Sequence, residues 1–488
     1  MKRILTYIFL ISMLPLAGCK KFLEKPPDNR TEVTAPDQVT LLLTTAYPHA
    51  NYILFCEAMS DNAEDKGGGG AGDPSDLINR QSYMFQDVQS KELDSPEAYW
   101  DSCYKAIAVA NQALQIINDA TDQNSFKAQR GEALVARAYA HFMLVTLFAK
   151  AYDPATASSD QGIPYVTTPE TQVFAKYDRK TVAYVYDMIE KDLLDGIPLI
   201  DERIYGNAPK FHFTKRAAHA FASRFYLFKR NYPQVIAHAE QAFSGSAAEN
   251  LRFWNTSYSD LQYFDLQAIY TKSSERANIL LQEANSIWGR SYPLYRFGLG
   301  SDLLNELFLS QNVTGGAYAI RYNIYGSVQY YNIPKFYEHF VRAGINADIG
   351  DPYNTIPLLT AEEVLFNRSE AYARLKNYPA ALADLNAWIS KNIRAYNSAQ
   401  HDLTAKKVVD YYKMPTDTMG ALVRAGLDFK RVSFMHEGLR WFDILRLKIP
   451  IVHTTDDGLR IPLSANDFRR VLQIPQEASL SGIPLNPR

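Results

Sequence analysis

The sequence predicts a mainly α protein. Tetratricopeptide-like helix pairs form a scaffold, interrupted by a long irregular aromatic-rich insertion, with few short strands. Three observations predict this. Apolar residues recur at helical spacing in several long segments. One stretch occurs twice, as Tyr226-Leu-Phe-Lys-Arg-Asn231-Tyr232-Pro233 and as Tyr372-Ala-Arg-Leu-Lys-Asn377-Tyr378-Pro379. Each copy reads as helix, tight turn, helix, because Pro fits the first turn of a helix, where its missing N–H costs nothing. Between the copies, residues 250–357 lose the helical period and carry many Trp, Tyr and Phe.

The N-terminus sets the compartment. Lys2 and Arg3 precede an apolar run from Ile4 to Leu14, too short to span a bilayer. Leu16-Ala17-Gly18-Cys19 closes it. Small residues before a Cys at this point resemble the lipobox of bacterial lipoproteins. That resemblance makes residues 1–18 a signal peptide, Cys19 the acylated N-terminus and residues 19–36 a tether. Residues 37–488 then form a single domain. Stable anchoring takes more than one acyl chain, which bacterial lipoproteins have.

Along that domain, Asp37 to Met59 reads as a first helix. Asp61, Glu64 and Asp65 follow in a loop leading to Gly67-Gly68-Gly69-Gly70. No Gly-Lys-Ser/Thr comes after it, so a phosphate cradle is not indicated. The carboxylates could meet calcium, but the EF-hand spacing is absent. Helices are predicted over Glu97 to Asn118, Phe126 to Lys150, Thr181 to Leu199 and Thr214 to Arg230. In the insertion, Tyr318 to Ile324 alternates as a strand should. His401 to Lys430 reads as linker, and Leu459 to Arg488 as a loop-rich tail.

Bulk composition narrows the function. The chain has 488 residues and a net charge of −2, so no basic field attracts nucleic acid. Its 32 Tyr and 25 Phe outnumber 5 Trp. Tyr suits both core edges and wet binding surfaces. Cys56 and Cys103 lie outside any C-x-x-C pattern and read as isolated structural thiols.

The densest chemical text is His436-Glu437-Gly438-Leu439-Arg440-Trp441-Phe442-Asp443-Ile444-Leu445-Arg446. It begins like the zinc motif H-E-x-x-H, but the second His is Arg440, which donates only and cannot ligate zinc. Residues three apart are neighbours on a helix. Leu439, Phe442 and Leu445 therefore form an apolar stripe beside the charged stripe Glu437, Arg440, Asp443, Arg446. The charged stripe reads as a fixed ion-pair lattice in a scaffold.

An ordered set of motifs resembles one family. It comprises the lipobox, Trp100…Tyr104…Ala110-Asn111, Gly131-Glu132-Ala133…Arg137-Ala138-Tyr139, Thr214-Lys215-Arg216-Ala217-Ala218, Glu370-Ala371, Glu437-Gly438-x-Arg440-Trp441-Phe442-Asp443-x-x-Arg446 and Ile474-Pro475-Gln476-Glu477. Together they resemble the SusD/RagB family of Bacteroidetes outer-membrane lipoproteins. Ser433 and Thr360 depart from the Glu and Arg that members often carry there. The resemblance implies a non-catalytic protein without cofactor or metal, lipid-anchored in the outer membrane and facing the cell surface. It implies binding of oligosaccharides, or of peptides in the RagB-like branch, and delivery to a SusC-like TonB-dependent transporter. It also implies four helix pairs beneath an irregular, ligand-binding face.

Sugar binding needs flat apolar faces flanked by hydrogen-bonding groups. Trp288, Tyr292 and Tyr295, with Asn285 and Arg290 beside them, have that composition. Arg80 and Tyr83 could contribute from a second segment. A surface glycoside hydrolase would need two facing carboxylates, which a chain with 53 Asp and Glu offers in many meaningless combinations. A tetratricopeptide adaptor that binds only protein is the third class. The anchoring assignment predicts that Cys19→Ala releases the protein from membranes, as measured by fractionation. Persistent lipid-dependent attachment would overturn it.

Overall fold

The fold is described from a computed structural model, which covers residues 33–67, 76–170 and 175–488. The signal peptide, Cys19 and most of the tether lie outside the described residues. Pro36 to Arg488 forms one compact unit. Among the described residues, no helix is long and apolar enough to cross a membrane.

The chain opens with α1 (Pro36–Leu43) and α2 (Ile53–Met59). The sequence predicts one helix here. Pro48 divides it, and the Asn51 side chain accepts from the Ile53 amide to start α2. After β1 (Glu64–Asp65) and α3 (Asp76–Tyr83) come the long α4 (Pro96–Asp119), α5 (Lys127–Phe148) and α6 (Val182–Gly196). Ser95 caps α4 through the Ala98 amide with Pro96 in the first turn, and Thr181 caps α6. Helix α5 packs against both α4 and α6.

The duplicated stretch forms two matching hairpins. The first is α7 (Lys215–Phe228) with α8 (Tyr232–Ala242). Next comes the insertion, with α9 (Tyr263–Tyr270), β2 (Asn278–Asn285), β3 (Phe297–Gly298), β4 (Glu338–Arg342) and β5 (Gly350–Thr360). The second hairpin is α10 (Ala361–Arg374) with α11 (Tyr378–Asn392). Arg230 and Lys376 occupy equivalent left-handed positions, at φ 60° and 62°. Asn231 and Asn377 then cap the second helices through the amides of Gln234 and Ala380. The hairpins pack through α8 against α10.

Three further expectations change. Tyr318 to Ile324 holds a 3₁₀ turn over Ala319–Asn323, because Tyr318, Ala319 and Ile320 are buried consecutively rather than alternately. The insertion's sheet is instead antiparallel, in the order β2–β5–β4. The stretch read as linker folds into α12 (Ala405–Tyr412) and α13 (Thr418–Ser433), capped by Thr404 and Asp417. The tail includes a strand, since β6 (Ile451–Thr454) pairs with β7 (Arg460–Leu463). Cys56 and Cys103 are both free and buried.

The chemically dense motif forms α14 (Leu439–Leu447) and the turn before it. His436 and Gly438 take left-handed conformations, at φ 71° and 70°. The buried Glu57 carboxylate accepts from both their amides. Of the four charged residues, only Asp443 and Arg446 pair with each other within the helix. Arg446 also grips Glu370 of α10 at 2.9 and 2.6 Å. Arg440 grips Asp61 at 2.7 and 2.9 Å. Glu437 takes Lys335, 2.6 Å away. The lattice is therefore a set of ties from α14 to other elements.

Burial alone would raise the Asp443 carboxyl, but Lys430 and Arg446 hold it down at about 2, against an ordinary 3.8. A depressed acid stabilises the fold above its ordinary value and stops doing so as pH falls through its folded value. We expect roughly 2 kcal/mol from Asp443 to disappear as pH falls from about 4 to about 2. Denaturant melts across that range should show it. A variant Asp443→Asn should lose this acid sensitivity while being less stable at neutral pH.

Candidate functional site

An open polar cleft of about 690 Å³ lies where β1, the turn after β3 and hairpin β6–β7 meet. Other hollows, of about 510 and 590 Å³, lie along the C-terminal segment, the first beside residues 85–97 and the second beside residues 149–161. Unlike these two, the 690 Å³ cleft draws on both the acidic loop and the insertion that the sequence singles out.

Its floor starts at Asp61, just beyond α2. Arg440 holds Asp61 through both carboxylate oxygens, and Arg431 donates to its carbonyl at 2.6 Å. Burial would raise the Asp61 carboxyl, but these guanidiniums hold it at about 2. Strand β1 pairs with β3 in register Glu64 to Gly298 and Asp65 to Phe297. This pairing aims Glu64 at the next turn, where it accepts from the amides of Asp302 and Leu303, both at 3.0 Å. Gly300 permits the approach, because any side chain there would collide with the Glu64 carboxylate. Asp65 takes Arg296 at 2.6 and 2.8 Å and the Asp456 amide at 3.0 Å. Lys66 donates to the carbonyls of Pro293 and Gln329 at 3.1 and 2.7 Å, and burial lowers its ammonium to about 8.

Tyr83 and His453 line one wall and belong to a column of rings. Tyr83 stacks between Phe297 and His453, with centroids 4.3 and 4.1 Å apart, and His453 stacks on Phe85 at 4.5 Å. The Arg296 guanidinium lies over Phe297 and that of Arg469 over Phe85. The Tyr83 hydroxyl donates to the Thr454 carbonyl at 2.9 Å. The cleft adjoins a shallower hollow of about 560 Å³, and the two share Asp65, Thr455 and Asp456. Arg80, exposed on α3, lines the outer hollow.

The residues anticipated from sequence divide. Tyr83 lines the inner cleft and Arg80 the outer hollow. Trp288, Tyr292 and Tyr295 are each less than 5% exposed and pack on one another, with Trp288 centred 5.4 Å from Tyr292 and 5.9 Å from Tyr295. The Tyr292 hydroxyl donates to the Ile333 carbonyl. Asn285 lies at the end of β2, its amide donating to the His49 carbonyl, and Arg290 pairs with Glu338. None of these five lines the cleft or the outer hollow. Their segment reaches the site one turn later, through Pro293 and Arg296. The sequence reading passed over Lys66, Arg296, Asp302 and Asp456. Gly300 was the available signal, a glycine beside an acidic residue in an aromatic segment. Among the described residues, no three His, Cys, Asp or Glu side chains converge to hold a metal ion.

A family model described as starch-binding associating with outer membrane matches residues 21–227. No curated protein matches. Solved structures match across the fold. A SusD superfamily protein from Bacteroides thetaiotaomicron is 19% identical, with a TM-score of 0.70, covering 93% of this chain and 100% of its own. A SusD-like carbohydrate binding protein from Bacteroides vulgatus is 15% identical, with a TM-score of 0.62, covering 92% and 96%. A laminarin binding SusD-like protein is 18% identical, with a TM-score of 0.60, covering 94% and 99%.

The buried and exposed residues should respond differently to truncation. Trp288→Ala is expected to cost roughly 3–5 kcal/mol, as for other buried aromatics. Arg80→Ala should stay within about 0.5 kcal/mol of the parent. Urea melts of the two variants measure this.

Proposed function

We propose that this chain, a member of the SusD superfamily, is an outer-membrane lipoprotein that captures glycan in the cleft beside Tyr83 and passes it to a SusC-like TonB-dependent transporter. The observation that carries the reading is the cleft itself. It is open and polar, and is built by three distant segments on a SusD-type scaffold. The family model's description, starch-binding associating with outer membrane, supports both the ligand class and the location.

The chemistry suits a hydroxyl-rich ligand. Ionised carboxylates accept hydroxyl protons, and charge-assisted hydrogen bonds of this kind are the strong ones. The Lys66 ammonium donates, and Tyr83 offers a ring edge to the cleft. Arg80 extends the contact surface outward. The aromatics Trp288, Tyr292 and Tyr295, with Asn285 and Arg290, support the insertion from behind. The site binds and releases without bond cleavage: its inner carboxylates, Asp61, Glu64 and Asp65, are committed to guanidiniums and backbone amides, which leaves the rim acids Asp302 and Asp456 to ligand hydroxyls.

Purified mature protein should retain a glycan from a panel of laminarin, starch, mannan and xylan in affinity electrophoresis, with no shortening of the chains. Arg80→Ala should weaken that retention at unchanged stability. Chain shortening would overturn the binding role. Retention of peptides with no glycan bound would overturn the ligand class. A fully retained affinity in Arg80→Ala would remove the outer hollow from the site.

A further inference from the structure

The cleft and the outer hollow carry seven carboxylates and four cationic side chains among the described residues. The cations matter more than the count, because nearly all of them are already engaged. Arg296 is bidentate on Asp65. Arg431 is spread over Glu306, Asn62 and the Asp61 carbonyl. Arg440, behind the floor, is bidentate on Asp61. Lys66 is held by two backbone carbonyls from opposite sides of the insertion. Arg80 remains, and it shares the outer hollow with Asp65, Asp456 and Asp457.

The acids are disposed the other way. Asp302 and Asp456 are exposed at the rim, and their backbone amides, not their side chains, are taken by Glu64 and Asp65. Asp61 and Asp65 both stay ionised at neutral pH, because burial is outweighed by their guanidinium partners. A ligand that brought its own negative charge would meet the rim carboxylates, and Arg80, the exposed cation of the described lining, shares its hollow with three acids. Recruiting Arg296 would take from the buried Asp65 side chain its guanidinium partner, a cost that specificity can be built on.

Resting on the glycan-capture reading above, we propose that this cleft selects uncharged glycans and rejects those bearing uronate or sulfate groups. The selection is by exclusion. Neutral hydroxyls can accept from Lys66 and donate to the rim carboxylates, whereas an anionic substituent meets a lining in which carboxylates outnumber cations and in which Arg296 and Arg431 are already paired with acids. The repulsion acts across solvent at the mouth, so salt screens it.

The test compares each neutral glycan of the panel (laminarin, starch, mannan, xylan) with its own sulfated derivative, by affinity electrophoresis and titration calorimetry at low and high salt. The sulfated form of whichever glycan binds should be retained roughly tenfold or more weakly at low salt, with the gap narrowing at high salt. The double variant Asp302→Asn, Asp456→Asn should narrow the same gap at low salt. Equal or tighter binding of the sulfated form overturns the charge selection and leaves glycan capture standing. So does a gap unchanged by both the double variant and salt. Failure of every neutral and sulfated glycan to bind overturns the capture reading, and the selection with it.

Discussion

The bidentate pair between Arg440 and Asp61 joins the two halves of this protein's logic. Arg440 belongs to α14, in the middle of the helical scaffold. Asp61 is the first residue of the cleft floor. Two donors on one edge of the guanidinium, Nε and Nη2, meet the two carboxylate oxygens, so the pair fixes direction as well as distance. From Arg440 the ties run on through α14. Asp443 and Arg446 reach Lys430 and Glu370, and Glu437 reaches Lys335 in the insertion. Glu57 locks the turn that starts the helix. A partly buried network of this kind is expensive to break, because each lost partner leaves a charge behind. The scaffold thereby holds the cleft in one geometry.

Local chemistry was legible in the sequence where it closes over a few residues. The Asn-Tyr-Pro turn contains its own cap, its own first-turn proline and its own left-handed residue, so both hairpins could be read directly. The caps at Ser95, Thr181 and Thr214 are local in the same sense. The stretch from Tyr318 to Ile324 misled because alternating residue types need not mean alternating burial. That segment is covered on successive residues, as a 3₁₀ turn allows. The His401 to Lys430 run looked polar enough to be linker, yet α13 buries Leu422, Val423, Leu427 and Phe429 and packs on the second hairpin, and α12 packs on α13.

The site was half legible for a different reason. Composition identifies side chains able to stack on a sugar, but not which of them the fold has already stacked on one another. Trp288, Tyr292 and Tyr295 have the right chemistry and are spent on the insertion's interior. Tyr83 and Arg80 stand out in the sequence because they follow an acidic, glycine-rich loop, and the fold sets them at the cleft and the outer hollow. Arg296, Gly300 and Asp456 were missed because their roles exist only through pairing with residues more than two hundred positions away in sequence.

The ring column beside the cleft has a consequence for biogenesis. Phe297, Tyr83, His453 and Phe85 come from three stretches of chain, and the last of these emerges only after more than nine-tenths of the polypeptide has been made. The helices can form early from local contacts, but the wall they support must wait for the final hairpin. A nascent or truncated chain can therefore carry most of the scaffold and still lack the wall of the cleft. Competence arrives in one late step, and that step closes loops hundreds of residues long.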